Sequence, residues 1–476
     1  MLRMKSINKD EHQISLFAAL FPLLCLVVLL AFNVFVFGDD AISGSNQFIL
    51  LVGGAIASMI GFSYNRTFKS MLDQVGENLK SVSSAILILL LVGSLSASWL
   101  ISGIVPAMIY YGILLINPVL FLPSAVIISA IISIATGSSW TTSATIGIAL
   151  IAIGKAMGIP AGIVAGAVIS GAYFGDKLSP LSDTTNLAAA MAGSNLFSHI
   201  RYMLYTTIPS IIITLIVFSV ISFTMETGEF LNNQHLLLSI QDSFNISPWL
   251  FVVPLIVIVL IIKKVSSIIA LFAGTILGLI FASFVQSIHL SMSPIEMYKY
   301  FMNSITTGVS IDTSHPSLND LFVSGGMEGM LGTIWLIICA MVFGGIMESI
   351  GALSRISAAL LSVGSSIFSL FASTVASCLT INLTASDQYL SIVVPGKMFS
   401  KAFEEKNLAP ENLSRTLEDS GTVTSVLVPW NTCGAYQSSV LGVGVGEFFV
   451  YAVFNYVSPF MTLIFAALKM KIKQRL

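Results

Sequence analysis

Long apolar runs dominate this chain and constrain its fold more than any other feature. They lie at about 14–37, 47–64, 82–117, 119–135, 144–175, 203–224, 248–262, 265–289, 330–350, 356–383, 389–400, 413–428 and 440–468. Only 9% of the 476 residues are charged, compared with about 25% in soluble domains. The mean hydropathy is +0.93. Since a membrane-crossing helix needs about 20 apolar residues, the sequence predicts an all-α polytopic membrane protein.

Several runs are too long or too short for one crossing, so turns and broken helices are expected inside them, in about ten to fourteen spans. The first run follows Arg3, Lys5 and Lys9, is longer than a signal-peptide core and lacks a small-residue cleavage site, which predicts a retained helix. The polar stretches 226–247 and 290–328 are the candidate loops. No separate soluble domain is expected.

The second half of the chain repeats landmarks of the first at an offset of about 250 residues. Ser170 and Gly171 match Ser420 and Gly421, Pro180 matches Pro429, Pro209 matches Pro459, Gly93 falls near Gly344, and the polar segment 136–145 falls near 382–389. Landmarks that recur in the same order indicate an internal duplication. We predict a single transmembrane domain in which repeat one, about 14–225, is joined to repeat two, about 248–470, by the polar loop 226–247.

The distribution of Lys and Arg indicates that the two repeats have opposite orientations, because cytoplasmic loops are enriched in these residues. In repeat one, the loop after the first helix (GDDAISGSN) has none, the segment after the second helix has Arg66, Lys69 and Lys80, and the repeat ends in METGEF. In repeat two, the corresponding first loop is KKV, the next segment has only Lys299, and the chain ends in KMKIKQRL. The pattern predicts inverted repeats, as in many secondary transporters, with both termini cytoplasmic.

Two proline-broken segments interrupt the apolar sequence with polar side chains. GAYFGDKLSPLSDTTNLA, at 171–188, and its counterpart LVPWNTCGAY, at 427–436, both contain proline and several side-chain oxygens. An ionised carboxylate in hydrocarbon costs several kcal/mol without a partner, and broken helices in transporters line a cavity at the membrane midplane. Hard cations such as Na⁺ prefer oxygen ligands. We therefore expect the two segments to meet at one cation and proton site.

These segments and their surroundings resemble the NhaC-type sodium/proton antiporter family, within the wider ion transporter superfamily. The resemblance spans about residues 75–470 and rests on ATGSSWTTSATIGIALIAIGKAMGIP, SGAYFGDKLSPLSDTTNLAA, LFSHIRYMLYTTIP, DQYLSIVVPGKMF and LEDSGTVTSVLVPWNTCGAYQ. It implies Na⁺ transport coupled to H⁺ or, in some relatives, exchange of malate for lactate or of other small organic solutes. It also implies a re-entrant hairpin and a broken helix in each inverted repeat, with hairpin tips near 137–142 and 382–387. The Ser-Asn-Thr signature of dicarboxylate relatives is absent from both tips, which argues against a dicarboxylate substrate.

The candidate site residues come from these broken segments and tips. The predicted ion- and proton-binding residues are Asp183, Asp176, Thr184, Thr185, Asn186, Ser138, Thr142, Thr384, Asp387, Asn431 and Thr432, and the candidates for gating or coupling are Lys177, Glu348, Glu418 and Asp419. Structural roles compete with these functions. Asp183 and Asp387 could instead cap helices, and Asp176 could form an ion pair with Lys177 in the cavity wall.

The other candidates also have alternatives. The acidic pair 418–419 could lie at a solvated helix end, and Glu348 could lie at a helix end near Arg355. His199 and Arg201 begin the helix after the first broken segment, and we expect interfacial anchors there rather than pH sensors.

Other protein classes fit less well. GAYFGD differs from the Gly-x-Gly-Asp of intramembrane aspartyl proteases at Tyr173, and the His-Glu-x-x-His of zinc proteases is absent. Cys25, Cys339, Cys378 and Cys433 lack the spacing of a zinc or redox site. A net charge of −2 without a basic run indicates no nucleic-acid partner. We predict no enzyme activity and no cofactor, and inverted repeats with broken helices favour alternating access over a channel.

We expect a secondary active transporter of the cell membrane that exchanges cytoplasmic Na⁺ for external H⁺. Sodium would displace a proton from Asp183, so the two ions would compete for one or two shared carboxylates. The alternative is a Na⁺- or H⁺-coupled exchanger of small organic anions or amino acids on the same fold. The expected partners are Na⁺, H⁺ and the lipid bilayer, while an organic solute and a homodimer are left open.

Overall fold

The computed structural model describes residues 14–37, 44–115, 117–225, 234–263, 265–286, 292–313, 319, 321–362 and 366–475. These residues are mostly helical, with a small antiparallel pair of strands, β1 (Val309–Ser310) and β2 (Val323–Ser324). The helices as far as residue 224 are α1 (Leu16–Phe37), α2 (Ser45–Ser63), α3 (Phe68–Ser81), α4 (Ser83–Ile101), α5 (Ile104–Leu115), α6 (Phe121–Thr136), α7 (Ser139–Thr142), α8 (Ile148–Ala156), α9 (Ala161–Leu178), α10 (Asp183–Ala192) and α11 (Leu196–Thr224). Those that follow are α12 (Gln234–Ser243), α13 (Val252–Ile262), α14 (Ser267–Val285), α15 (Pro294–Thr306), α16 (Leu331–Ser349), α17 (Ala352–Ser362), α18 (Ile367–Thr384), α19 (Gln388–Glu405), α20 (Pro410–Leu417), α21 (Thr432–Leu441), α22 (Val445–Phe448) and α23 (Val453–Ala467).

Within the described residues, eight helices are long and apolar enough to cross a membrane, and two bent helix pairs raise the number to ten. Ten is the lower end of the expected range. Helix α9 is not among these helices, because Asp176 and Lys177 lower its mean hydropathy. Large apolar side chains on α1, α11 and α14 are exposed, including Phe35, Phe223 and Phe284. An exposed apolar surface of this extent suits contact with lipid.

The two expected polar loops contain regular structure. Helix α12 lies in 226–247, and α15 with the two strands lies in 290–328. Ser293 caps the start of α15 in a capping box with Glu296, which explains how a polar segment becomes helical. Residues 226–233 lie outside the described residues, as do the N-terminal basic residues, the loop residues 38–43 and Lys264.

A turn that is followed by helices and then by a break occurs twice in the chain and positions the site, with a π-helical segment next to the turn in the first set and next to the break in the second. The first set consists of α6, a turn, α7 with a π-helical segment at Ser143–Gly147, α8, α9, a break, and α10. The second consists of α18, a turn, α19, α20 with a π-helical segment at Glu418–Thr422, a break, and α21. The hydrophobic clusters join the two sets, because Cys433 and Leu441 of α21 pack with α6 and α9, whereas Ala188 and Ala192 of α10 pack with α18, α19 and α20.

Both turns have a local cause in the sequence. Gly137 ends α6 in the left-handed conformation, with φ +70°, and Ser138 caps α7 by accepting a hydrogen bond from Thr141 N. In the second turn Ser386 has φ +58° and Asp387 caps α19. The chain therefore turns within 137–142 and 382–387, the two segments where tips were expected.

Both breaks follow from proline and a polar cap. Pro180 lies between α9 and α10, and Ser182 caps α10 by accepting from Thr185 N. Pro429 lies before α21, which Asn431 caps by accepting from Cys433 N (3.0 Å). Each break leaves backbone groups that the polar side chains around it can satisfy.

Candidate functional site

The two turns and the two breaks meet around a cavity of about 310 Å³. Of the predicted site residues, those that line it are Ser138, Asp176, Asp183, Thr184, Asp387 and Thr432. The two proline-broken segments therefore do meet, as expected. Thr432 N donates to Ser386 O (3.0 Å), which ties the second break to the second turn.

Asp176 is the best-buried carboxylate that the first broken segment contributes. It lies near the end of α9, is 6% exposed, and accepts hydrogen bonds from Ser139 N (3.0 Å) and Ser139 Oγ (2.7 Å) on α7. No Lys or Arg pairs with it within the described part of the chain. The alternative that Asp176 pairs with Lys177 is wrong, because consecutive side chains on a helix point in different directions.

Lys177 pairs instead with Asp419, which lies in the π-helical segment Glu418–Thr422 before the second break. Both side chains are fully buried, and Ser458 and Thr462 of α23 also bond to this pair. The interpretation of Asp419 as a solvated helix end is therefore wrong. A buried pair with additional hydrogen bonds can offset its desolvation, so this network joins α9, the π-helical segment and α23.

Asp183 lies in the first turn of α10 and is exposed. It accepts a hydrogen bond from the hydroxyl of Tyr389 (2.8 Å), a residue of α19. The cap of α10 is Ser182, so Asp183 does not cap this helix by a side-chain bond. Its carboxylate lies at the edge of the cavity and links the first break to the second turn.

Asp387 combines the two roles considered for it. It caps α19 by accepting from Leu390 N (2.8 Å), and it is 3% exposed and lines the cavity. A capping carboxylate next to a cavity remains an acceptor for a cation, because a carboxylate has more lone pairs than one capping bond uses.

Glu418 is fully buried beside the first break. Thr184 Oγ1 donates to Glu418 Oε1 (3.1 Å), while Glu418 Oε2 has no hydrogen-bond partner among the described residues. The interpretation of Glu418 as a solvated helix end is also wrong. Because Thr184 contacts both the cavity and Glu418, these two residues connect the cavity to the buried interior.

The remaining predicted ligands bond to the backbone around the turns and breaks and do not line the cavity. Thr142 donates to Ser138 O, Thr185 to Lys177 O, Asn186 to Pro180 O and Ser182 O, Thr384 to Thr380 O, and Asn431 to Asn382 O. The Ser138 and Ser182 carbonyls also accept a backbone N–H, so there the side chain adds a second hydrogen bond. We therefore assign these five side chains to holding the turns and breaks in place.

Two candidates lie away from the cavity. Glu348, near the end of α16, is partly buried and accepts from the Asn78 amide nitrogen (3.2 Å), whereas Arg355 Nε donates to Ile14 O. The expected proximity of Glu348 to Arg355 therefore yields no ion pair among the described residues. The His199 side chain is fully buried and its imidazole has no hydrogen-bond partner among the described residues, so its interpretation as an interfacial anchor is wrong. Arg201, in contrast, is exposed.

Three residues that the sequence did not single out also contribute. Ser139 holds Asp176, Tyr389 holds Asp183, and Gln388 lines the cavity beside Asp387. Ser139 belongs to the hydroxyl-rich run GSSWTTS, and the other two follow Asp387 directly in DQY. Ser139 lies inside the first predicted tip, 137–142, and extending the second tip by two residues would have found Gln388 and Tyr389.

The cavity is suited to a small cation. Its charged side chains are Asp176, Asp183 and Asp387, and no Lys, Arg or His of the described chain lines it. Hydroxyl groups such as those of Ser138 and Thr184 add neutral oxygen ligands. The carboxylates do not converge as a multi-acid metal centre, since no group of three His, Cys, Asp or Glu side chains in the described residues is placed to hold one ion. One carboxylate with hydroxyl and carbonyl oxygens is a typical environment for a monovalent hard cation.

Comparison with known proteins places this geometry in context. The Na⁺/H⁺ antiporter family matches the chain over residues 171–470. The chain is 38% identical over 419 residues to the Na⁺/H⁺ antiporter NhaC of Alkalihalophilus pseudofirmus, covering 88% of each protein.

Two further relatives are named for organic solutes. The malate-2H⁺/Na⁺-lactate antiporter of Bacillus subtilis is 36% identical over 472 residues, covering 98% of this chain and 95% of that protein. The arginine/ornithine antiporter ArcD of Halobacterium salinarum is 34% identical over 470 residues, covering 97% of this chain and 94% of that protein.

Proposed function

Because this chain belongs to the Na⁺/H⁺ antiporter family, we propose that it exchanges cytoplasmic Na⁺ for external H⁺ across the cell membrane by alternating access. The resemblance drawn from the sequence motifs is thereby confirmed, and the chain is a multi-pass transporter rather than an enzyme. The observation that supports Na⁺ and H⁺ as the exchanged ions is a cavity whose charged side chains are all carboxylates.

Asp176 is the carboxylate that the two ions share in this proposal. The sequence favoured Asp183, but Asp183 is exposed, whereas Asp176 is buried and has no cationic partner. A buried carboxylate without a fixed counter-ion is stable when it holds either a proton or a metal cation. Sodium entering from the cytoplasm would displace the proton of Asp176, and a proton entering from outside would release the sodium, so exchange needs no state with both ions bound.

We further propose that the chain consists of two inverted repeats, about 14–225 and 248–470, each with a re-entrant hairpin at its turn. The recurrence of a turn and a later proline break in each half of the chain supports this division. The opposite distribution of Lys and Arg supports inversion, with both termini in the cytoplasm. In such an arrangement the cavity lies between the repeats, and rocking of one against the other exposes it to alternate sides.

A transport assay with matched variants tests the role of Asp176. Asp176→Asn keeps the size of the side chain but removes its titration, so Na⁺-driven proton movement in proteoliposomes should fall to the level of protein-free vesicles. Asp183→Asn should retain exchange with weaker Na⁺ affinity, because its exposed carboxylate lies only at the cavity edge. Thr184→Val, which removes a neutral ligand, should also weaken Na⁺ affinity without ending transport.

The comparison requires equal expression and a monodisperse elution profile for all three variants. Exchange by Asp176→Asn at the parental rate, together with an inactive Asp183→Asn, would show that the two carboxylates have the opposite roles. Absence of proton movement in the parent protein between about pH 6 and 9, the range around neutrality that suits a shared carboxylate, would exclude Na⁺/H⁺ antiport.

The second candidate function is exchange of a small organic anion or amino acid. The relatives named for malate, lactate, arginine and ornithine support it, and the malate relative weakens the argument from the missing dicarboxylate signature. A panel of radiolabelled carboxylates and amino acids in the same proteoliposomes separates the two candidates. Solute uptake that depends on a Na⁺ or H⁺ gradient would establish the second.

A further inference from the structure

A second groove lies beside residues 471–473. It has a volume of about 350 Å³ and lies between the start of α11 and the segment after α23. Its lining residues include Arg201, Tyr205, Lys471 and Lys473. It is separate from the carboxylate cavity, with which it shares no lining residue.

The groove has an excess of positive charge. Lys473 is neutralised by Glu411 (2.6 Å), which also accepts from Ser198 (2.8 Å). Arg201 and Lys471 are exposed and pair with no carboxylate of the described chain. Lys471 lies over the ring of Tyr205, 4.9 Å from its centre, which holds the ammonium group at the groove. Two unneutralised cations on one groove attract an anionic group.

The segment that carries these lysines is fixed before any ligand binds. Lys473 O accepts from Ala409 N (2.9 Å), and Arg475 N donates to Asn407 O (2.9 Å). The hydroxyl of Tyr202 bonds to Lys471 O and to Asn412 Oδ1 (2.6 Å). A ligand therefore does not have to order the segment, which lowers the entropy cost of binding.

An apolar surface begins immediately beside the groove. Ile208 on α11 and Ile464 on α23 are 45% and 48% exposed, and Leu468, between α23 and Lys471, is 64% exposed. Helix α11 is long and apolar enough to cross a membrane. Helix α23 is so together with the preceding segment Val445–Tyr451, from which it is bent. The groove therefore lies where a transmembrane surface meets water, which is the level of phospholipid headgroups.

From this juxtaposition we propose that the groove binds the phosphate group of an anionic phospholipid, with Arg201 and Lys471 contacting the phosphate and the acyl chains lying along α11 and α23. Guanidinium and ammonium groups are the usual protein ligands of phosphate, and Arg can contact two of its oxygens. The apolar surface distinguishes this ligand from free phosphate, since a free ion would gain nothing from it.

Lipid binding is measured by native mass spectrometry of the full chain in mixed micelles of phosphatidylglycerol and phosphatidylcholine. The parent protein should retain phosphatidylglycerol in preference to phosphatidylcholine. Arg201→Gln and Lys471→Gln should each weaken this retention about five-fold, and the double variant should weaken it further, since both cations attract the phosphate. Lys401→Gln is the matched control, because Lys401 is an exposed lysine of α19 that does not line the groove, so its neutralisation should leave retention unchanged.

Each result decides the proposal independently of transport. Equal retention of phosphatidylglycerol by the parent and the double variant, or an equal loss in Lys401→Gln, would overturn it. Displacement of the lipid by inorganic phosphate, but not by chloride at the same ionic strength, would assign the groove to soluble phosphate and overturn the lipid assignment. The single variants replace exposed side chains, so binding can be compared even where the double variant folds poorly.

Discussion

At the scale of single residues, the Lys177–Asp419 pair is the contact on which we expect stability to depend most. Lys177→Met would leave the Asp419 carboxylate fully buried with only the hydroxyls of Ser458 and Thr462 as partners. Removing one member of a buried pair typically costs about 3–5 kcal/mol because the other charge is left uncompensated. Thermal unfolding in detergent should show a large fall in the midpoint temperature.

The double variant Lys177→Met/Asp419→Leu provides the control, since it removes both charges and fills the space with apolar atoms. It should recover most of the stability lost in Lys177→Met, because replacement of a buried pair by apolar residues is often neutral. Equal destabilisation of the single and double variants would mean that packing of the lysine stem, rather than charge, sets the loss.

At the scale of elements, the close contact between α6 and α9 places Asp176 against α7. Gly175 lies on this contact, and a Cβ atom there would lie 2.6 Å from Ser133 Cβ and would also meet the backbone oxygen of Ala130. Backbone atoms cannot rotate away, so Gly175→Ala should force the helices apart at a cost of about 1–3 kcal/mol. Since Asp176 is the next residue, Na⁺/H⁺ exchange should fall more than the amount of folded protein.

Gly446→Ala is the matched control, because the added methyl group would meet no described residue beyond its chain neighbours and its own helix backbone within 4 Å. The two variants are compared by proton flux per folded molecule and by unfolding temperature. Parental flux in Gly175→Ala would show that the spacing of α6 and α9 does not position the carboxylate.

At the scale of the whole molecule, the cavity is built from both sets of turn and break, so an ion bound there should stabilise the entire fold. A ligand that binds only the folded state adds about 2.7 kcal/mol at 100 times its dissociation constant. Sodium chloride should therefore raise the unfolding temperature of the purified protein, whereas choline chloride at equal ionic strength should not. The shift should shrink as the pH falls, because protons then compete for Asp176, and should vanish in Asp176→Asn. Equal shifts with both salts would indicate screening rather than binding.

The sequence by itself determined the class of protein and where its helices turn and break. Apolar runs of membrane length require helices, since the backbone polar groups in lipid must be satisfied internally. Gly137, Pro180 and Pro429 mark one turn and both breaks, because glycine and proline act on their own backbone and need no distant partner. Family membership could also be read from the motifs at these positions.

Only the tertiary structure decided which polar side chains meet. Asp176 and Lys177 are neighbours in sequence, yet consecutive helical side chains diverge, so Asp176 bonds to Ser139 while Lys177 pairs with Asp419, 242 residues away. The burial of Glu418 and the exposure of Asp183 depend in the same way on which helices pack over them. Local rules govern backbone conformation, whereas burial and ion pairing depend on long-range packing that spacing along the chain does not encode.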